Sequence, residues 1–360
     1  MTQHASSPVH RSARAAHLDT LRALACIALV SYHVVGHTSR TGMELNADHW
    51  LVLFNDTFVD MRMPLFSFLS GCVFLSLEQL TRSPGQLLLS KARRLLVPML
   101  SVGLLFWSAN MLIGQQQPHV LSLFVLPYAH FWFLQATFLI MVCFLLLYAI
   151  LPVRSTTLAL GLLGVGMLVW VAGLHPPVNV FSVIQAAYLM PFFMLGYLCA
   201  HSTLLPRLRA VLSPLTAITV LLILVGFGHA LATSHMEMAS LVDRRAVTIG
   251  IGMLFCVSLL VIAPRHPALA QLGGYSYTIY LFHVFFTAGS FEILGQIAPA
   301  TPDAAVWVVG LVLGLAGPII LHRVLMQNDL LAALFLGLKL NPRSIQRTPA
   351  VAQTGAEQRA

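Results

Sequence analysis

The sequence predicts an all-α fold, a polytopic transmembrane bundle of about ten helices with both termini in the cytoplasm. Three observations carry that expectation. Of the 360 residues, 58% are hydrophobic and only 9% charged, against about a quarter charged in soluble domains, and the mean hydropathy is +0.83. The apolar runs are long and lack the alternation of barrel strands, so each must satisfy its own backbone as helix. Basic residues gather at the ends of these runs, on one side of the resulting topology.

Taken in order, the spans are 17–38, 51–77, 95–113, 130–151, 157–174, 182–200, 213–232, 245–263, 274–297 and 305–325. The first follows basic residues, as a signal peptide would. It is too long for one and no small-residue cleavage site follows, so it reads as a retained helix. The second carries Asp56, Asp60, Arg62 and Pro64 in its first half, and the third follows the basic run Lys91–Arg94. The fourth opens on Phe131, Trp132 and Phe133. The fifth is short and glycine-rich, which suits a tilted or half-inserted segment, and Pro191 should kink the sixth. The ninth carries Tyr277, Tyr280 and His283. With the N-terminus inside, sixteen of the 20 Lys and Arg residues fall on the cytoplasmic side; Arg40, Arg62, Arg244 and Arg245 fall at the outer face.

This divides the chain into a basic cytoplasmic segment, 1–16, a transmembrane domain, 17–325, and a cytoplasmic tail, 326–360, expected to be disordered from about 338. No soluble catalytic domain is expected at either end, so chemistry belongs within the membrane domain or at its faces. The net charge of +8 is explained by topology rather than by a nucleic-acid partner. The five cysteines lie in apolar runs without a CxxC pair and read as packing residues.

Arg22 and His33 are eleven residues apart in the first span. At ~100° per residue they share nearly one helical face, about 16 Å apart along the axis. Asp19, three residues before Arg22, suits an N-cap or an i,i+3 ion pair. Arg22 alone could be a snorkelling, topology-setting cation. His33 lies deeper, where an ionisable group is costly and points to function. His37 is one turn further on, but no carboxylate or thiolate accompanies the pair, so no metal is expected.

The first of these stretches, LDTLRALACIALVSYH, resembles the first helix of the acyltransferase 3 family of integral membrane acyltransferases, marked by a basic residue, ten intervening residues and a histidine. RMPLFSFLSGCVF (Arg62–Phe74), KARRLLVP (Lys91–Pro98), FWFLQATF (Phe131–Phe138) and LGGYSYTIYLFHVFF (Leu272–Phe286) resemble further family motifs in the same order. The similarity spans about residues 17–325. It implies a membrane O-acyltransferase, most often an O-acetyltransferase, moving an acyl group from cytoplasmic acyl-CoA to a sugar hydroxyl of a surface polysaccharide, an exopolysaccharide or a lipid-linked precursor. It further implies acetyl-CoA as donor substrate, a carbohydrate acceptor, the bacterial inner membrane as location and polysaccharide assembly proteins as partners.

The residues suit those roles. CoA phosphates need fixed positive charge, which Arg22, Lys91, Arg93 and Arg94 would supply. This chain has Lys91 and Arg94 where many members show an arginine pair, so roles within that run stay loose. His33, with an intrinsic pKa of ~6.5, would take the acceptor's hydroxyl proton or carry the acyl group. His283, with Tyr280, would position the acceptor or orient His33, unless it only forms a polar seam between helices. Asp56, Asp60 and Arg62 could bind sugar hydroxyls at the outer mouth or pair with one another, with Glu292 a weaker candidate there. Trp132 is either a belt residue or a sugar-stacking platform. Ser70 and Gly71 should allow close helix approach. A transporter or flippase for a glycan-related substrate is the main rival, and a non-catalytic subunit of an export complex the third reading.

Overall fold

A computed structural model describes residues 8–36, 42–75, 79–81, 83–233 and 241–340. The expected basic segment before Pro8, the His37 partner and the tail beyond 340 lie outside the described residues. Within them the chain is helical, with no strand: α1 (Pro8–Val35), α2 (Trp50–Thr57), α3 (Val59–Cys72), α4 (Pro84–Leu112), α5 (Ser122–Val125), α6 (Trp132–Ile150), α7 (Ser155–Val171), α8 (Val183–His201), α9 (Leu204–Val211), α10 (Pro214–Ala232), α11 (Leu241–Ile262), α12 (Pro267–Gly273), α13 (Ser276–Ile297), α14 (Asp303–Leu325) and α15 (Asp329–Leu336).

Among the described residues eight helical segments are long and apolar enough to cross a membrane, so the chain is a multi-pass membrane protein. Each overlaps one of the ten spans read from the sequence, but α4 begins at Pro84, so Lys91–Arg94 lie within this helix and not ahead of it as the sequence suggested. The fifth, α7, has 17 residues and is shorter, as its composition suggested. The second is two helices rather than one, broken at Phe58. Just before the break the Asn55 Nδ2 donates to the Leu51 carbonyl (2.9 Å) and the Thr57 hydroxyl to that of Leu53 (2.8 Å). Side chains that reach back to the i−4 carbonyl in this way bend helices.

Close backbone crossings hold the bundle together. A Cβ on Gly71 would lie 1.9 Å from the Phe193 carbonyl oxygen, and one on Gly196 2.0 Å from that of Phe68. Only glycine permits α3 and α8 to meet at this distance, the small-residue packing of membrane helices. Edge-to-face rings of Phe74, Phe193, Phe144 and Tyr197 fill the space beside that crossing. A Cβ on Gly273 would reach 1.8 Å from the Asp19 carbonyl oxygen, so α12 lies directly against α1 at Asp19. The first part of the tail is folded. The Asn328 side chain caps α15 at Leu330 and Leu331, and the Ser101 hydroxyl of α4 donates to the Leu334 carbonyl at 2.7 Å.

Candidate active site

Arg22, Cys26, Leu29 and His33 occupy one face of α1 in steps of four, three and four. Ser276, Tyr280, His283 and Thr287 repeat those steps on α13. The two stripes face each other. The Cys26 thiol contacts the Ser276 carbonyl at 3.7 Å, and the rings of His33 and His283 stand 4.9 Å apart by their centres. His33 is therefore turned into the bundle and not toward lipid. Two cavities open along this seam.

The first, about 360 Å³, is lined by Arg22, Lys91 and Arg94 together with Ser70 and Ser276. Arg22 forms an ion pair with Asp19, as the i,i+3 spacing suggested. The Lys91 ammonium donates to the Phe74 carbonyl at 2.8 Å. The Arg94 guanidinium lies 5.0 Å from the centre of the Tyr277 ring, whose hydroxyl donates to the Arg94 carbonyl. Arg93 does not line this cavity. Its Nε donates to the Gly337 carbonyl at 3.4 Å, at the end of α15.

The second cavity, about 660 Å³, is lined by Tyr32, His33, Arg62, His130 and Trp132. The volume of each falls within the range of small-molecule sites. His283 is fully buried beside this cavity, and its ring centre is 5.1 Å from that of His130. The Nδ1 of His283 lies 2.9 and 3.0 Å from the carbonyl oxygens of Ile279 and Tyr280. Carbonyls only accept, so Nδ1 carries the proton, and the lone pair of a neutral ring falls on Nε2. That Nε2 is buried without a hydrogen-bond partner among the described residues. The three imidazoles pack ring against ring. Among the described residues no group of three or more His, Cys, Asp and Glu is placed to hold a metal ion.

Tyr280 lines both cavities. Its hydroxyl donates to the His130 carbonyl, and Phe133 and Phe66 stand 5.5 and 6.4 Å from its ring. The ring is the wall between the cationic space and the imidazole space. The structure thus brings together Arg22, Lys91 and Arg94 on one side and His33, Trp132 and Tyr280 on the other, with His283 behind.

Other residues fall elsewhere. Asp60 forms an ion pair with Arg244 at 2.7 Å and lines a separate cavity with Asp56. Glu292 is exposed, accepting from Gln296 at 2.8 Å. Arg62, grouped in the sequence with the two aspartates, makes no ion pair with either among the described residues, although both carboxylates act on it through space. Its Cζ lies 3.8 Å from the centre of the Tyr32 ring, and its Nη1 donates to the Asn55 carbonyl at 3.3 Å.

Sequence reasoning missed His130. It sits in a short turn before α6, preceded by Ala129 at φ 42°, a left-handed conformation that strains a residue with a Cβ. Its Nε2 donates to the Leu281 carbonyl at 3.4 Å. The available signal was a histidine directly before the Phe131–Phe138 aromatic stretch. Because His130 lies in a single 3₁₀ turn far along the chain from α1, no helical spacing ties it to His33.

Residues 16–323 match the family model described as Acyltransferase domain. No curated protein and no solved structure gives a significant match.

Proposed function

The chain belongs to the acyltransferase family, and from that premise we propose that it is an O-acetyltransferase of the bacterial inner membrane, moving acetyl from cytoplasmic acetyl-CoA to a sugar hydroxyl of a surface glycan or its lipid-linked precursor. One observation carries this reading: a cavity lined by three cations and a cavity lined by imidazoles share a single aromatic wall at Tyr280. The positive-inside pattern supports a cytoplasmic position for the cationic cavity and for both termini.

In this reading Arg22, Lys91 and Arg94 hold the CoA phosphates, and the thioester extends past Tyr280 toward His33. The acceptor sugar stacks on Trp132 in the imidazole cavity. His33 takes the proton of the attacking hydroxyl as its oxygen bonds to the thioester carbonyl. The tetrahedral adduct collapses, the carbon–sulfur bond breaks, and the thiolate leaves as CoA on taking up the proton held by His33. Transfer by way of an acyl group carried on His33 uses the same geometry. His283 and His130 position the His33 ring, and Tyr280 acts through His130 rather than on the substrate's reacting atoms.

Purified protein supplied with radiolabelled acetyl-CoA and the glycan fraction of cells lacking the gene tests the proposal. Label should enter the glycan as an alkali-labile ester. If the glycan instead crosses a membrane with no ester formed, the protein is a transporter and the proposal is wrong.

A further inference from the structure

The imidazole cavity has a neighbour of a different kind. A groove of about 400 Å³ runs between α1, α3, α10, α11 and α14, lined by Leu24, Ala28, Leu221, Phe255 and Leu311 among others. Leu24 (36% exposed) and Phe54 (46% exposed) mark its opening on the outside of the bundle. Its lining is apolar with a single charged member, Arg62, which also lines the imidazole cavity.

Arg62 stands in the wall between the two spaces and is 6% exposed. A buried guanidinium within a membrane protein is costly unless an anion meets it. Among the described residues no carboxylate lies within ion-pair distance of it; Asp56 and Asp60 act on it only from farther away. Asp60 is held by Arg244, and Asp56 faces the cavity that Asp60 lines. The Asn55 carbonyl and the Tyr32 ring engage only part of a five-donor fork that suits a phosphate.

The groove also has a direction. Trp307 lines it near the start of α14, donating to the Ser31 hydroxyl at 3.0 Å and packing 6.4 Å from Trp50. Tryptophans mark the membrane–water interface. From Ser31 the groove descends to Leu24, seven residues down α1 and about 10 Å deeper. An occupant would therefore have its polar head at Arg62, at the level of Trp307, and its chain in the bilayer core.

Resting on the acyltransferase reading, we infer that the acceptor is a lipid-linked sugar phosphate, its hydrocarbon chain in this groove, its phosphate on Arg62 and its sugar in the imidazole cavity. The lateral opening lets the acceptor enter from the outer leaflet while the donor enters from the opposite face. The two substrates then meet at His33 without sharing an entrance.

Native mass spectrometry of the full-length protein released from detergent micelles tests this, with polyprenyl phosphate, the corresponding neutral polyprenol and inorganic phosphate as probes. The polyprenyl phosphate should be retained at about tenfold lower concentration than the polyprenol, as a charge-assisted contact implies. Arg62→Gln should bring the two to within about twofold of each other, and Ala28→Trp, which fills the groove, should weaken both. Equal retention of phosphate and alcohol by the unaltered protein overturns the inference, whether or not Arg62→Gln folds. So does full displacement of the lipid by inorganic phosphate, which would mark a site for the free anion. Acetyl transfer is read separately, from labelled acetyl-CoA to a soluble oligosaccharide of the glycan. Transfer without lipid preference removes the groove and leaves the enzyme; lipid preference without transfer to any acceptor removes the enzyme and leaves the lipid site.

Discussion

The cavities on either side of Tyr280 differ in how much water reaches their charges. In the cationic cavity the Arg22 side chain keeps 27% of its exposure and Arg94 is exposed. Lining the imidazole cavity, Arg62 and His130 are 6% and 7% exposed and His33 is half-buried, with His283 at 0% behind them. A wet cationic site can hold a polyanion and release it, because water competes for each contact. A dry site strengthens every polar interaction it contains and penalises any standing charge. Histidine suits the second environment, since it can handle a proton while remaining neutral between turnovers. In the proposed reaction, recognition of charge and handling of protons are separated along one helix, by about 16 Å of rise.

The largest effect that would test this division is at His33. His33→Ala should lower transfer from labelled acetyl-CoA by about 10²- to 10⁴-fold, the usual contribution of a positioned base. Normal expression with undiminished transfer would remove His33 from the chemistry. At the wet end, Arg22→Gln should raise the KM for acetyl-CoA about tenfold while changing kcat little, because it removes a binding contact from ground and transition states alike. Arg93→Gln should change that KM less than Arg22→Gln does; equal effects would mean that the fork on Gly337 swings to the donor.

Smaller changes sharpen the boundary. His130→Gln should lower kcat about tenfold with the acetyl-CoA KM held, the split expected of a group beside the reacting atoms but remote from the phosphates. An increase in KM alone would place His130 with the donor site. Tyr280→Phe keeps the ring and removes only the hydrogen bond to the His130 carbonyl. It should cost about 0.5–1.5 kcal/mol of stability, seen as a lower Tm, and reduce kcat a few-fold. Tyr280→Ala should open the wall between the cavities and raise hydrolysis of acetyl-CoA without acceptor; the absence of any such hydrolysis would argue that another group separates them.

Legibility followed sequence distance. The Arg22–His33 stripe, the pair with Asp19 and the seam of Tyr280 and His283 lie within single helices, where 3.6-residue periodicity converts spacing into geometry. The eight long spans follow from the same short-range rule. Gly71 could be read as a contact point from its size, though not as a contact with Phe193. Asp60 and Arg62 mark where reading stopped. Two residues apart, they point to different sides of α3, and which one finds Arg244 depends on α11, over 180 residues away. His130 was missed for the complementary reason, since a turn has no period to extrapolate.

By itself the sequence determined a multi-pass helical membrane protein, the approximate place of eight of its ten expected spans and a cation-to-histidine stripe on the first of them. Each of these depends on hydropathy and helical pitch, which are local. Only the tertiary structure decided that the stripe faces α13, that Tyr280 divides the space between them, and that His130 and Arg62 enter that space while Asp60 and Arg93 leave it. Those outcomes depend on where helices cross, and the crossings are set by backbone contacts such as Gly71 with Phe193 and Gly273 with Asp19. Such contacts join residues far apart in the chain, and no periodicity along one segment contains them.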